Sequence, residues 1–207
     1  EQNYGAYCGD FVVDTQDDIS VFEIGAGPTV TSTGTVIDNA LIEADCFEPI
    51  VFSKTNDVVL FIGAETTGTD ELYAVDISSF PTVGAPVKLN SVLPLPPETH
   101  DADVQDFKVS PTGDWVAFRA DDRDQFEDEL FVYDLTSLGT ASPVRVTTAI
   151  SDVTSESEYQ WIPGTNKLLY ISDELTSAED VVMFYDADTG ATPTEVSGPM
   201  VTSGDAY

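Results

Sequence analysis

His100 is the only histidine in the chain, so any Ser-His-Asp relay would have to run through it. It sits in Pro96-Pro97-Glu98-Thr99-His100-Asp101, a proline-rich connector, and no Gly-x-Ser-x-Gly elbow occurs to present a nucleophile. The expectation is a solvent-exposed loop histidine and no catalytic residue. Cys8 and Cys46 are the two cysteines. Neither has a basic neighbour to lower its pKa, so cysteine nucleophily is not expected. They form no CxxC and have no histidine pair beside them, which disfavours structural zinc. The pair admits either one disulfide, worth about 3–4 kcal/mol through loop closure, or two free thiols.

Carboxylates dominate what remains. The run Asp121-Asp122-Arg123-Asp124-Gln125-Phe126-Glu127-Asp128-Glu129 is the best candidate for a hard cation, because calcium takes several oxygen ligands at about 2.3–2.6 Å. Asp121, Asp122, Asp124, Glu127 and Asp128 would be its ligands. The run lacks the EF-hand spacing and its glycine, and the competing reading is a hairpin turn with Arg123 paired to carboxylates. A second acidic stretch, Asp101-Ala102-Asp103-Val104-Gln105-Asp106, reads as a solvated rim before a strand. Paired acids for glycoside hydrolysis carry no weight here, since among 38 Asp+Glu some pair meets the required separation by chance. No Gly-rich phosphate loop occurs, so no cofactor is expected beyond calcium.

The same acids set the environment. Seven Lys+Arg against 38 Asp+Glu give a net charge of −31 over 207 residues. That charge repels phosphate backbones and anionic lipid, so nucleic acid and membrane docking are not expected. The longest apolar run, Val58 to Ile62, is far short of the roughly 20 residues of a membrane helix. Such acidity suits saline surroundings, where screening over about 8 Å or less tames self-repulsion. The first residues, Glu1-Gln2-Asn3, read as a mature or trimmed end. A periplasmic or extracellular protein of marine or halophilic source is expected.

Internal repeats must position whatever the chain presents. Phe52-Ser53-Lys54-Thr55-Asn56-Asp57-Val58-Val59-Leu60-Phe61, Val109-Ser110-Pro111-Thr112-Gly113-Asp114-Trp115-Val116-Ala117-Phe118 and Trp161-Ile162-Pro163-Gly164-Thr165-Asn166-Lys167-Leu168-Leu169-Tyr170 share one template. Each is an apolar strand end, a turn and a second apolar run, which predicts a β-hairpin. A third strand follows at Glu71–Asp76, Glu129–Asp134 and Val181–Asp186, with an earlier copy at Asp18–Glu23. A fourth, led by proline, follows at 85–89, 142–146 and 192–196, with a first copy at 27–30. Proline cannot donate to a ladder, so this last strand belongs at a sheet edge.

Four antiparallel strands per repeat, with no amphipathic helix, predict an all-β β-propeller. One twisted sheet hides too little apolar area alone, and blades packed face to face share a core. Val116 and Phe118 are expected on one face and Leu130 and Val132 on the other. Residues 1–45 form an incomplete first blade, with 46–100, 101–155 and 156–207 as the second, third and fourth. The alignment of Val13 with Phe118 puts the first innermost strand at or before Tyr4.

The window Phe107–Phe118 resembles the Ser-Pro-Asp-Gly-Lys hairpin of TolB-like propeller blades. Ala120-Asp121-Asp122-Arg123-Asp124, followed by Glu129–Asp134, is similar to that family's next turn and strand. The resemblance is good in this blade, partial at 52–77 and 161–187, and faint in the first. It implies the fold and no particular activity, because such blades serve transport, peptidase and surface proteins alike.

About four blades are visible, and propellers of the resembled kind close with six or more. The chain is therefore expected to be part of a larger ring, completed by other protein chains or by the rest of its own polypeptide. A closed four-bladed ring is the alternative. The functional expectation is a non-catalytic binding or assembly scaffold of an exported acidic protein. Two alternatives stand beside it: the gating propeller of a larger prolyl-oligopeptidase-like peptidase, and a calcium-dependent surface or matrix protein.

Overall fold

Alternating apolar residues between turn-forming clusters produce strands almost throughout. The computed structural model describes residues 3–9, 18–24, 34–37, 43–44, 49–54, 57–64, 70–90, 103–121, 128–147, 159–172 and 180–197. Contacts divide the chain into two units, Glu1–Ser91 and Val92–Tyr207. Among the described residues the single helical element is a 3-10 turn, Leu135–Ser137, and none is a helix long and apolar enough to cross a membrane.

The first unit holds two sheets. The first is three-stranded, β1 (Asn3–Gly9), β2 (Asp18–Ile24) and β3 (Thr35–Val36). The second runs β4 (Glu43–Ala44), β6 (Val58–Ala64), β7 (Glu71–Asp76) and β8 (Val87–Lys88), with β5 (Val51–Phe52) also paired to β6. Its inner strand is thus split, β4 and β5 lying against successive parts of β6.

In the second unit both sheets are complete meanders. The third is β9 (Val104–Val109), β10 (Trp115–Asp121), β11 (Asp128–Asp134) and β12 (Val144–Arg145). The fourth is β13 (Tyr159–Trp161), β14 (Lys167–Ser172), β15 (Val181–Asp186) and β16 (Thr194–Glu195). All pairings are antiparallel. The proline-led strands of the last three repeats are the sheet edges, as their missing donor requires.

Turn chemistry explains the hairpins. The Gly113 amide donates to Ser110 O at 2.9 Å, with Pro111 pre-set for the turn and Gly113 at φ 87. In the fourth sheet Thr165 N donates to Ile162 O at 3.1 Å across Pro163-Gly164, and Gly164 takes φ 74, a backbone region that glycine enters without a Cβ clash. The repeat extends to single hydrogen bonds. Asp57 O, Asp114 O and Asn166 O, the turn residues, accept from Ile77 N, Leu135 N and Ala187 N at 2.8, 2.8 and 3.0 Å.

Each unit has its own inter-sheet core. In the first, Ile19, Val21 and Ile37 of the first sheet meet Val59, Phe61, Tyr73, Val75 and Ile77 of the second. In the second, Ala117, Leu130, Val132 and Val146 meet Tyr159, Trp161, Leu168, Tyr170, Met183 and Tyr185. Leu130 and Val132 therefore face the following sheet, as the alternation predicts, and Tyr159, Trp161 and Tyr170 are core residues on the sheet that meets them. Burying such side chains is worth about 1.5–3 kcal/mol each. Burial also holds the Tyr185 hydroxyl above its ordinary pKa of 10.0, with Asp186 adding to the effect.

The first repeat departs from its sequence alignment. Tyr7, not Val13, stands opposite Ser20 as Phe118 stands opposite Phe131, so Asn3–Gly9 is the blade's second strand. Its edge strand is Thr35–Val36 rather than 27–30. Val13 and residues 27–30 lie outside the described residues. The apolar trio Phe11-Val12-Val13 fits the same local sequence pattern, which is why the alignment places the strand there.

Candidate functional site

The residues singled out for chemistry are largely beyond the described parts. His100, Asp122, Asp124, Glu127 and Cys46 lie outside them. Asp121 and Asp128 form the last rung of the β10–β11 ladder, which brings the two ends of that acidic run together at the backbone level. Cys8 is half-buried and disulfide-bonded. Among the described residues no three His, Cys, Asp or Glu side chains gather as a metal would require.

What the structure does assemble is a polar cluster joining the third and fourth sheets. Asp106 and Arg119 are cross-strand partners on β9 and β10. Arg119 Nε donates to Asp106 Oδ2 at 2.7 Å, and Arg119 Nη2 donates to the same oxygen. The hydroxyl of Tyr159, on β13, donates to Asp106 Oδ1. Next to it, Lys108 Nζ donates to the Tyr159 carbonyl oxygen at 3.0 Å and lies 4.3 Å from the centre of the Tyr159 ring. Trp161 Nε1 donates to Lys108 O at 2.8 Å.

Asp106 is thus not part of a solvated acidic rim. Its side chain is 13% exposed and that of Arg119 9%, because the strand that carries Asp106 is covered by the next sheet. Both carboxylate oxygens already accept hydrogen bonds and one is held by a guanidinium. The cluster is a staple between sheets. A second staple joins the hairpin turns: Thr112 donates to Asn166 Oδ1, and Asn166 Nδ2 donates to Asp188 Oδ1 at 2.8 Å.

A further ion pair repeats by position. Glu71 and Glu129 begin or nearly begin the third strands of their sheets and are buried at 8% and 2% exposure. Each pairs with a cation from the edge strand, Lys88 Nζ at 2.6 Å and Arg145 Nη1 at 3.0 Å. Tyr73 OH adds a bond to Glu71 Oε2 at 2.6 Å. In the fourth sheet the two places hold Val181 and Glu195, the latter opposite Met183 where Lys88 is opposite Tyr73. Lys167 pairs with Asp186 at 3.4 Å. Lys88, Lys108, Arg119, Arg145 and Lys167, five of the seven basic residues, are therefore engaged with the protein's own groups. Charge counting showed the excess of acid; the burial of its few counter-charges needed the register.

Repeated four-stranded meanders, stacked face to face within each unit and carrying no built catalytic group among the described residues, are the blades of β-propeller proteins. No family model matches the chain, and no curated protein matches it. Among solved structures the chain is similar to a TolB from Agrobacterium tumefaciens, with 16% identity and a TM-score of 0.47, over 94% of this chain and 64% of that one. It is also similar to TolB from Acinetobacter baumannii, with 17% identity and a TM-score of 0.44, over 97% of this chain and 42% of that one. The chain spans less than two thirds of the length of either.

Proposed function

We propose that this chain is a non-catalytic β-propeller module of an exported acidic protein, serving as a scaffold on which protein partners bind or assemble. The observation that carries the reading is the commitment of the cations. With Lys88, Lys108, Arg119, Arg145 and Lys167 held by internal or edge partners, few cations are left to offset a net charge of −31. Such a field attracts cationic protein surfaces and excludes polyanions. A serine-directed fluorophosphonate probe tests the reading on the intact native gene product. No labelling is expected; labelling at a serine outside residues 1–207 would make the module the gating propeller of a peptidase instead.

In this reading the protein is exported to an oxidising, saline compartment, which the sulfur chemistry and the charge support. Disulfides persist outside the cytosol, and Cys8 is disulfide-bonded. Its partner in this reading is Cys46, the second of two cysteines in the chain. The unreduced, denatured protein is expected to show no titratable thiol. Reduction is expected to lower stability by about 3–4 kcal/mol, read from urea unfolding with and without reductant. Two thiols titrating before reduction would overturn the pairing and the compartment with it.

A further inference from the structure

In both units the sheet face directed toward the next repeat is closed by that repeat. Ile19, Val21 and Ile37 of the first sheet are 0%, 0% and 1% exposed and pack on the second. Ala117, Leu130, Val132 and Val146 of the third are 0–3% exposed and pack on the fourth. Register carries these positions onto the fourth sheet. Leu169 stands opposite Phe184 as Ala117 stands opposite Val132. Val196 N donates to Val182 O as Val146 N donates to Leu130 O.

The fourth sheet therefore offers Leu169, Ile171, Val182, Phe184 and Val196 on its forward face. None of them is fully buried, and Val196 is 53% exposed where its counterparts Ile37 and Val146 are 1% and 3%. The opposite face of the same sheet, with Tyr159, Trp161, Tyr170 and Tyr185, is closed to 5% or less. An apolar face of this kind marks an interaction surface rather than a finished exterior.

We infer that this forward face is the docking surface for a further four-stranded sheet of the same repeat, carried in cis on the same polypeptide. The inference rests on the propeller reading above and names the surface through which the array continues. Two observations identify the occupant. Wherever an equivalent face is closed within a unit, a following sheet closes it. And a second copy of the chain would bring another charge of −31 against the first, whereas a tethered sheet is held at high effective concentration despite the repulsion.

Side-chain size narrows the occupant further. The closed forward faces are shallow, with Ala117 and Val132 in one and Val21 in the other, and they receive ring-bearing faces: Tyr159, Trp161 and Tyr170, or Phe61 and Tyr73. On the fourth sheet Leu169 and Phe184 replace Ala117 and Val132, so the occupant must present smaller side chains for the layers to interdigitate at native density.

Alkylation of single introduced cysteines in the intact native gene product tests this. Val144 and Val196 are alike in exposure here, 49% and 53%, but Val144 sits at the outer rim of a face that is already covered. Val196→Cys is expected to react at least ~10-fold more slowly than Val144→Cys, protected by the docked sheet, at every protein concentration. Phe184→Ser in the same product is expected to lower Tm by roughly 5–10 °C. Equal alkylation rates, with Phe184→Ser tolerated, would overturn the inference. Protection that disappears on dilution would overturn it in favour of a second copy, as would a native product carrying no further four-stranded repeat. Probe labelling of a distant serine would sink the non-catalytic reading and leave this result standing.

Discussion

Arg119→Met is expected to destabilise the protein by about 3–5 kcal/mol, because it strips the cation from a carboxylate that cannot return to water. Asp106 is 13% exposed and Arg119 9%, so little solvent is available to rescue the charge. The Tyr159 hydroxyl would remain on Asp106 Oδ1, and Oδ2 would lose both of its guanidinium donors. Asp106→Leu combined with Arg119→Met removes both charges together, and its cost is expected to fall to about 1–3 kcal/mol, since desolvation of a buried pair consumes most of its attraction and what remains is the bond that the Tyr159 hydroxyl loses at Asp106 Oδ1. Urea unfolding of the two single variants and the double variant closes the cycle. A single-variant cost below about 1 kcal/mol would place the pair among solvent-screened surface bridges, and the staple between the third and fourth sheets would be lost as an explanation.

The second large effect belongs to Trp161. This side chain is 5% exposed in the inter-sheet core and donates through Nε1 to Lys108 O at 2.8 Å. Trp161→Ala is expected to cost about 3–5 kcal/mol, from lost burial plus the cavity left between two rigid sheets. Trp161→Phe separates the two contributions. It keeps an aromatic in the core and removes only the Trp161 Nε1 bond to the Lys108 carbonyl, for an expected cost of about 0.5–1.5 kcal/mol. Both are read from urea midpoints at constant m. If the two variants cost the same, the ring's volume is irrelevant and the packing described between β9 and β13 is wrong.

The hairpins at 52–61, 109–118 and 161–170 were legible because turn residues act locally. Pro111, Gly113, Pro163 and Gly164 restrict their own backbone whatever surrounds them. The edge strands at 87–88, 144–145 and 194–195 were legible for the same reason, a proline that cannot donate. The first repeat was not. Its second strand is Asn3–Gly9, and an apolar trio downstream satisfied the same local pattern equally well. Nothing within a short window distinguishes two candidate strands when both alternate acceptably.

Asp106 failed differently. In sequence it closes an acidic run and looks solvated. Its partner is 13 residues away on the neighbouring strand, and β9 is covered by Tyr159 from a sheet some 50 residues later. A side chain's solvation is a property of what lies across it, not of its neighbours along the chain.

By itself, then, the order of residues determined the repeat, the strand alternation and the turns, all of which depend on backbone preferences acting over a few residues. Tertiary structure alone decided which carboxylates are buried with cations and which apolar face of the fourth sheet stays open. Near-continuous apolar runs such as Val58–Ile62 mark both faces of a strand as apolar, but coverage is settled by the neighbouring sheet, through contacts that no local pattern encodes.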